Sequence, residues 1–330
     1  MQIQALQSHK HRDVLVTRSR HLPSLDQLDI RLIEEFELDA RQTYKDLAAK
    51  LGVSSHTIAG RVQRLVGGGI IRTVCWADPM SLGYNFRVVF AIYTQSGQDG
   101  DVADRLAANA RISVVHLGTG RFNIIAWALF HTGEDLSDFI SNELKSIPGV
   151  VHVETVLTLR EVKVTPKLLT EDIDSRTPKY SEKGLDALDL KLIEELQTDP
   201  RQKNGQLARK LEVDQSTIFR RIQRLIDEHI IRIGITTDPF ALGYEGVSTI
   251  GLKCDPGKVR EVAKAVASYK QVQYVGIYAG RYDIITWVVF RKLTDLEHFV
   301  TVELGSITGL NDIDTIVNFK IVKMLFQIPV

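Results

Sequence analysis

Leu28, Leu32, Ile33 and Phe36 recur at the three- and four-residue spacing that lines up apolar side chains on one face of a helix. Leu47, Ala48 and Leu51 repeat the spacing, and beyond Gly52-Val53 so do Ile58, Val62 and Leu65. Three short helices are predicted. Ser54 stands at the N-cap of the third, where its hydroxyl can take up free backbone N–H groups. The side of that helix away from the apolar stripe is read as Thr57, Arg61 and Arg64. Gly67-Gly68-Gly69 ends it, since glycine enters the left-handed conformation freely, and Ile70-Ile71-Arg72 then opens an extended segment read as a wing.

After Asp78-Pro79, a cap followed by a proline suited to a first helical position, the period of the pattern drops to two. Strands are predicted over 87–93, 112–117, 123–130 and 150–164, with helices over 102–109 and 136–147. The order βαββαβ builds a four-stranded antiparallel sheet with two helices on one face, a ferredoxin-like arrangement. The other face stays open, and a second copy of the sheet is its natural cover.

That second copy lies in the same chain. LDQLDIRLIEE beginning at Leu25 returns as LDALDLKLIEE at Leu185, and the offset of 160 holds without insertion through Gly120-Arg121 and Gly280-Arg281 to Glu143-Leu144 and Glu303-Leu304. Between 25 and 94, 30 of the 70 positions are identical in the second copy. The fold class expected is α+β: a tandem duplication of a winged helix-turn-helix domain followed by a ferredoxin-like domain suited to assembly. The boundaries fall at 25–77 and 78–164, then 185–237 and 238–330. Residues 165–184, polar with two prolines, read as a linker able to reach about 70 Å. Residues 1–24 read as a mobile basic tail carrying Lys10, Arg12, Arg18 and Arg20, either a frayed end or an arm that touches DNA. Whether the two copies pair within one chain or between chains is open at this level.

Composition, with 44% hydrophobic and 25% charged residues, is that of an ordinary globular protein. No apolar run approaches membrane-spanning length and the start lacks a signal-peptide pattern, so a cytoplasmic protein without membrane contact is expected. Cys75 and Cys254 are too far apart and too few for a structural zinc site, and none of the nine histidines recurs at the offset. No metal or cofactor is expected. Net charge is zero, but it is unevenly spread: 41–72 holds six Lys or Arg against one acid, and 201–232 eight against four. Such local clusters on helix-turn-helix segments are the footprint of a surface that faces phosphates, so double-stranded DNA is the expected partner.

The pattern LxxLDxxLIxxL, LAxxLxVxxxTIxxRIQRL, IIR and DPxxLGY, followed by the βαββαβ module, resembles the Lrp/AsnC transcription regulators. The resemblance spans both copies. It implies a DNA-binding unit, an assembly domain that takes small effectors, commonly amino acids, and pairing of units, here as an internal pseudo-dimer that can oligomerise further. Carried onto this chain, the DNA-binding residues are Ser54, Ser55, His56, Thr57, Arg61 and Arg64 in the first copy. In the second they are Gln215, Ser216, Thr217, Arg220, Arg221 and Arg224, with Asp214 as N-cap. Where the second copy has Ser216, Phe219 and Arg220, the first has His56, Ala59 and Gly60, so the second helix is expected to bind more strongly and the target to be an imperfect palindrome.

The effector loop implied by the resemblance is 118–123, repeated at 278–283. Gly120 and Gly280 could offer backbone N–H groups to a carboxylate, and Asp283 could hold an ammonium, whereas Asn123 lacks that charge and suggests one degenerate pocket. Arg121 and Arg281 could bind a ligand carboxylate or pair with an acid across the interface. The Gly118-Thr119-Gly120 run joins two strands and is no dinucleotide loop. Trp127 and Trp287 recur and read as core or interface aromatics. A different class of function is an enzyme, because fused proteins of this kind include siroheme-type tetrapyrrole decarboxylases; it would need a cavity with basic residues and a proton donor such as His116. A third is an assembly module that has lost DNA binding.

Overall fold

The structure, a computed structural model, describes residues 24–170, 184–324 and 327–330. The basic tail and most of the linker lie outside those residues. No helix among them is long and apolar enough to cross a membrane.

The first unit holds α1 (Gln27–Leu38), α2 (Tyr44–Leu51) and α3 (Ser55–Gly67). A capping box starts α1: Asp26 accepts the Asp29 N–H, and Asp29 accepts that of Asp26. Ser54 accepts the Thr57 N–H at 3.0 Å, and Gly52 turns the chain at φ 72°. The predicted apolar faces close on one another, with Leu32, Ile33, Ile58 and Leu65 fully buried.

In the second copy α6 (Ala187–Thr198), α7 (Asn204–Leu211) and α8 (Gln215–Asp227) repeat the arrangement, with α4 (Asp99–Ala108) and α5 (Gly133–Asp138) falling in the intervening domain. Here the Asp214 side chain makes no cap bond, and the Thr217 N–H goes to its backbone carbonyl instead. Glu212 occupies the left-handed position of Gly52, at φ 56°. Glu212→Gly is expected to raise stability by about 0.5–1 kcal/mol in urea denaturation, because a Cβ is strained there.

The extended segment read as a wing is β1 (Ile71–Ala77), which runs antiparallel to β6 (Ile231–Thr237), with Val74 opposite Gly234. It is thus a ribbon between the copies and no hairpin. Ile235 and Leu242 complete the core of the first unit, and Cys75 and Ala77 that of the second. The units exchange strands, so each folds against the other.

The first assembly domain is β2 (Phe86–Thr94), α4 (Asp99–Ala108), β3 (Ile112–Thr119), β4 (Ile124–Phe130), α5 (Gly133–Asp138) and β5 (Val150–Val164). The second is β7 (Gly246–Cys254), α9 (Val259–Ala267), β8 (Val272–Ala279), β9 (Ile284–Phe290), α10 (Leu293–His298) and β10 (Leu310–Met324). Both halves have the predicted order, and they pair within the one chain. The pairing is edge to edge: the sheets close into a barrel ordered β10-β3-β4-β2-β5-β8-β9-β7. At 15 residues, β5 and β10 are long enough for two partners each. β5 pairs β2 from Val150 to Leu157 and β8 from Leu157 to Val164, and β10 bridges β7 and β3 in the same way. The faces expected to stack now line the barrel, where Val89, Phe122, Val156, Tyr278, Tyr282 and Ile316 form its core.

The described start of the stretch read as a linker, 165–170, is anchored to the first unit. Leu168 and Thr170 donate their backbone N–H groups to buried Glu37 at 2.8 and 2.7 Å, strapping this stretch onto α1. At the offset, Gln197 receives the Ile328 N–H at 2.6 Å and donates to its carbonyl.

Candidate DNA interface, effector loops and cavity

Burial of Ile218, Ile222 and Leu225 fixes the outward face of α8 as Ser216, Phe219, Arg220 and Gln223, all exposed. In α3 the same face is His56, Gly60 and Gln63, with Ser54, Ser55 and Thr57 exposed at the start of the helix. Gln215 is exposed as well, and Thr217 is half-buried. Phe219 is 56% exposed, unusual for an aromatic without a partner surface. Phe219, Gln63 and Gln223, none of them among the DNA-binding residues expected from the resemblance, share this outward face.

Arg61, Arg64, Arg221 and Arg224 are placed differently from expectation. They lie on the flank of the helix, facing the start of α1 or α6. Arg221 bonds both oxygens of Asp186 at 2.7 Å and Asp189 at 2.8 Å, and Arg224 bonds Asp189 at 2.5 Å. Arg61 holds Asp26 and Asp29 in the same way, and Arg64 holds Asp29. Asp29 and Asp189 are fully buried. These arginines therefore fix the angle of the third helix through charge-assisted bonds to a capping box, and their charge is largely offset by acids that lie before the basic segments. The Arg61 and Arg221 guanidinium groups hold the Asp26 and Asp186 carboxyls down at about 2. Basic groups next to the reading face remain: a groove beside Gln215 is lined by Arg41, Lys203 and Arg209.

The effector loops are also committed. Asp283 accepts the Cys254 N–H at 2.9 Å and the Lys253 ammonium at 3.2 Å, so the ammonium it holds is the protein's own. Asn123 accepts the Thr94 N–H at 3.1 Å. The acid and the amide do one job, tying the loop to the end of the neighbouring strand. Gly120 (φ 132°) and Gly280 (φ 142°) sit where a Cβ would lie 3.2 and 3.3 Å from the backbone oxygens of Thr315 and Thr155. Their smallness admits the other copy's strand. Arg121 pairs with Asp314 at 3.0 Å and Arg281 with Glu154, and those acids are themselves 160 residues apart. Of the two readings of these arginines, the ion pair across the interface is the one formed.

Cys75 and Cys254 are free, with burial pushing their thiols up to about 12 and about 11. No cluster of three or more metal-ligating side chains forms among the described residues.

A cavity of about 1240 Å³ opens between the barrel and the second helix-turn-helix unit. Trp127, Trp287 and Tyr274 line it from the barrel, Asp227 and Arg232 from the DNA-reading unit, and Arg260 from α9. His116 does not line it. It is fully buried behind the tryptophans, its ring 5.3 Å from that of Trp127 and 4.8 Å from that of Trp287, and neither nitrogen has a hydrogen-bond partner.

Residues 25–66 and 185–226 match the AsnC-type helix-turn-helix domain, and 87–168 and 248–328 match the Lrp/AsnC ligand binding domain. The chain belongs to the Lrp/AsnC family and is a DNA-binding regulator of that type, built as two fused units. An uncharacterised HTH-type transcriptional regulator of Pyrococcus furiosus is 37% identical over 132 residues, 40% of this chain and 89% of that protein. The HTH-type transcriptional regulator LrpA of Pyrococcus horikoshii is 31% identical over 140 residues, 42% of this chain and 99% of that one. Over the full length the fold is shared with the siroheme decarboxylase NirDL, at a TM-score of 0.64, 15% identity and coverage of 92% of this chain and 94% of that one. NirDL has also been solved with an iron-uroporphyrin III analogue.

Proposed function

We propose that the protein is a sequence-specific regulator that reads two adjacent major grooves of double-stranded DNA with α3 and α8. The observation that carries this is the exposed, non-ion-paired face of α8, where Ser216, Phe219, Arg220 and Gln223 stand outward at helical spacing. A major groove about 12 Å wide admits such a helix. Arg220 suits guanine and Phe219 a thymine methyl, while Arg41, Lys203 and Arg209 suit phosphates. Ser54, Ser55, His56 and Thr57 make the contacts of the weaker first half-site. Half-sites about 34–36 Å apart and imperfectly palindromic follow from the duplication. A fused pair binds as a family dimer does, since the tether sets a high local concentration of the second reader. The protein works in the cytoplasm without a cofactor, regulates in answer to a small effector, and can associate into higher oligomers.

Binding measured by fluorescence anisotropy at graded salt is expected to show a slope of log affinity on log salt of about −3, at about −0.9 for each of Arg41, Lys203 and Arg209. A flat response would sink the mechanism. Making α8 resemble α3, by Phe219→Ala with Arg220→Gly, is expected to weaken binding by about tenfold to a hundredfold, and the reverse exchange at Ala59 and Gly60 to strengthen it. Unchanged affinity in both would remove the reading face from the argument.

A second reading, a tetrapyrrole decarboxylase, draws on the basic cavity and on the NirDL fold. Against it stands His116, its candidate proton donor, which burial pushes down to about 3 and which has no contact with the cavity.

A further inference from the structure

We infer that the cavity is a binding site for a planar organic polyanion, an aromatic ring system bearing several carboxylates, sulfonates or phosphates. This goes beyond the DNA reading and does not depend on it. The volume, about 1240 Å³, exceeds what a single amino acid fills and lies above the range of roughly 300–1,000 Å³ usual for small-ligand sites, which leaves room for a large ring system. All three tryptophans of the chain, Trp76, Trp127 and Trp287, line it, and the Trp287 indole N–H has no partner. Flat indole faces suit a flat ring.

The walls supply the charge. Eight Lys or Arg line the cavity against three acids, in a chain of zero net charge. Arg87 is tied to Glu161 at 2.7 Å. Arg160, Arg260 and Lys264 are exposed and carry no ion pair among the described residues. Arg260 and Lys264 stand one turn apart on α9, so both project toward the same opening.

The duplication supplies an internal control. A cation needed merely to hold the fold should appear on both sides of the pseudo-twofold axis. At the offset of 160, Arg87 is answered by Val247, Arg260 by Gly100, Lys264 by Asp104 and Lys270 by Ala110. Glu161 is answered by Ile321, which is buried together with Val322 and Met324. Lys323, the counterpart of Lys163, is itself buried against the Asn109 carbonyl at 2.7 Å. One cleft is packed with apolar side chains, and the other is open and basic. Arg160, Lys163 and Arg232 keep basic counterparts in Lys320, Lys323 and Arg72, but the other five of the eight cations that line the open cleft, Arg260 and Lys264 among them, have none.

The test is titration of the full chain with pyrene tetrasulfonate, followed by quenching of tryptophan fluorescence, since every tryptophan reports on the cavity. Saturable quenching in the micromolar range is expected, weakened at least tenfold by Arg260→Gln with Lys264→Gln and unchanged by Lys320→Gln beside the packed cleft. Competition by ATP would extend the class to phosphates, and its absence would confine it to ring-borne carboxylates and sulfonates. Absence of saturable quenching, or equal quenching in the double variant, would overturn the assignment. No DNA is present in this titration, so a failure here is separate from a failure to bind DNA.

Discussion

Asp189→Ala is expected to lower stability by about 2–4 kcal/mol and to weaken DNA binding, although no outward residue of α8 is changed. Asp189 is fully buried, accepts from Arg221 and Arg224, and closes the capping box of α6 through the Asp186 N–H at 3.1 Å. Removing one partner of a buried pair costs about 3–5 kcal/mol. The lower range applies here because the two arginine side chains are 25% and 32% exposed. Arg221 keeps Asp186, whereas Arg224 loses its carboxylate, and its Nε is already buried without a partner. With Asp189 gone, α8 is held to α6 by its apolar stripe and the half-exposed Arg221–Asp186 pair, and its angle to α6 loosens. Urea midpoints for the wild type, Asp189→Ala, Arg224→Ala and the double variant should give a coupling of at least about 1 kcal/mol. Additive effects would show that the clamp does not hold the helix, and Asp29→Ala should repeat the result in the first unit.

The clamp also shows what a sequence can reveal. Helical spacing and the repeat placed α1 to α3, the change of period placed the βαββαβ modules, and 150–164 was read with the bounds that β5 has. The ion pairs of Arg61 and Arg64 are not legible in the sequence because their partners, Asp26 and Asp29, lie 35 positions earlier and meet them only after α1 packs on α3. A signal was present: those acids recur at the offset together with the arginines, as two halves of one contact do. The β1–β6 ribbon was less visible, since a seven-residue apolar strand reads alike whether it folds back on itself or pairs with a distant copy. Barrel closure was hidden for the same reason. It rests on the length of β5 and β10 and on complementary changes such as His116 against Gly276, where the missing side chain leaves room for the hydroxyls of Tyr274 and Tyr278 to meet at 2.7 Å. Each copy taken alone leaves that pairing of large with small unexplained.

His116 carries the second large effect, a loss of stability in mild acid. Burial among apolar and aromatic side chains pushes its pKa from 6.5 down to about 3, with no acceptor to favour the charged ring. Below about pH 6.5 the unfolded chain takes a proton that the folded chain cannot, so each pH unit removes about 1.4 kcal/mol until about pH 3. The acids of the capping boxes act later. Asp26 and Asp186, lowered to about 2 from 3.8, contribute stability that is intact above about pH 4 and is lost as the pH falls toward 2. Between pH 6.5 and 4 the decline attributable to His116 is therefore about 3 kcal/mol, and urea midpoints of His116→Leu should be flatter over that interval. Parallel profiles for variant and wild type would refute the assignment. The location of the loss is specific too. His116 lies opposite Ile321, where β3 of the first copy pairs with β10 of the second. Protonation strikes one of the two seams that close the barrel, so hydrogen exchange in acid should rise along β3 and β10 before it rises along β2 and β4, and the distance between the DNA-reading helices should lose its definition with it.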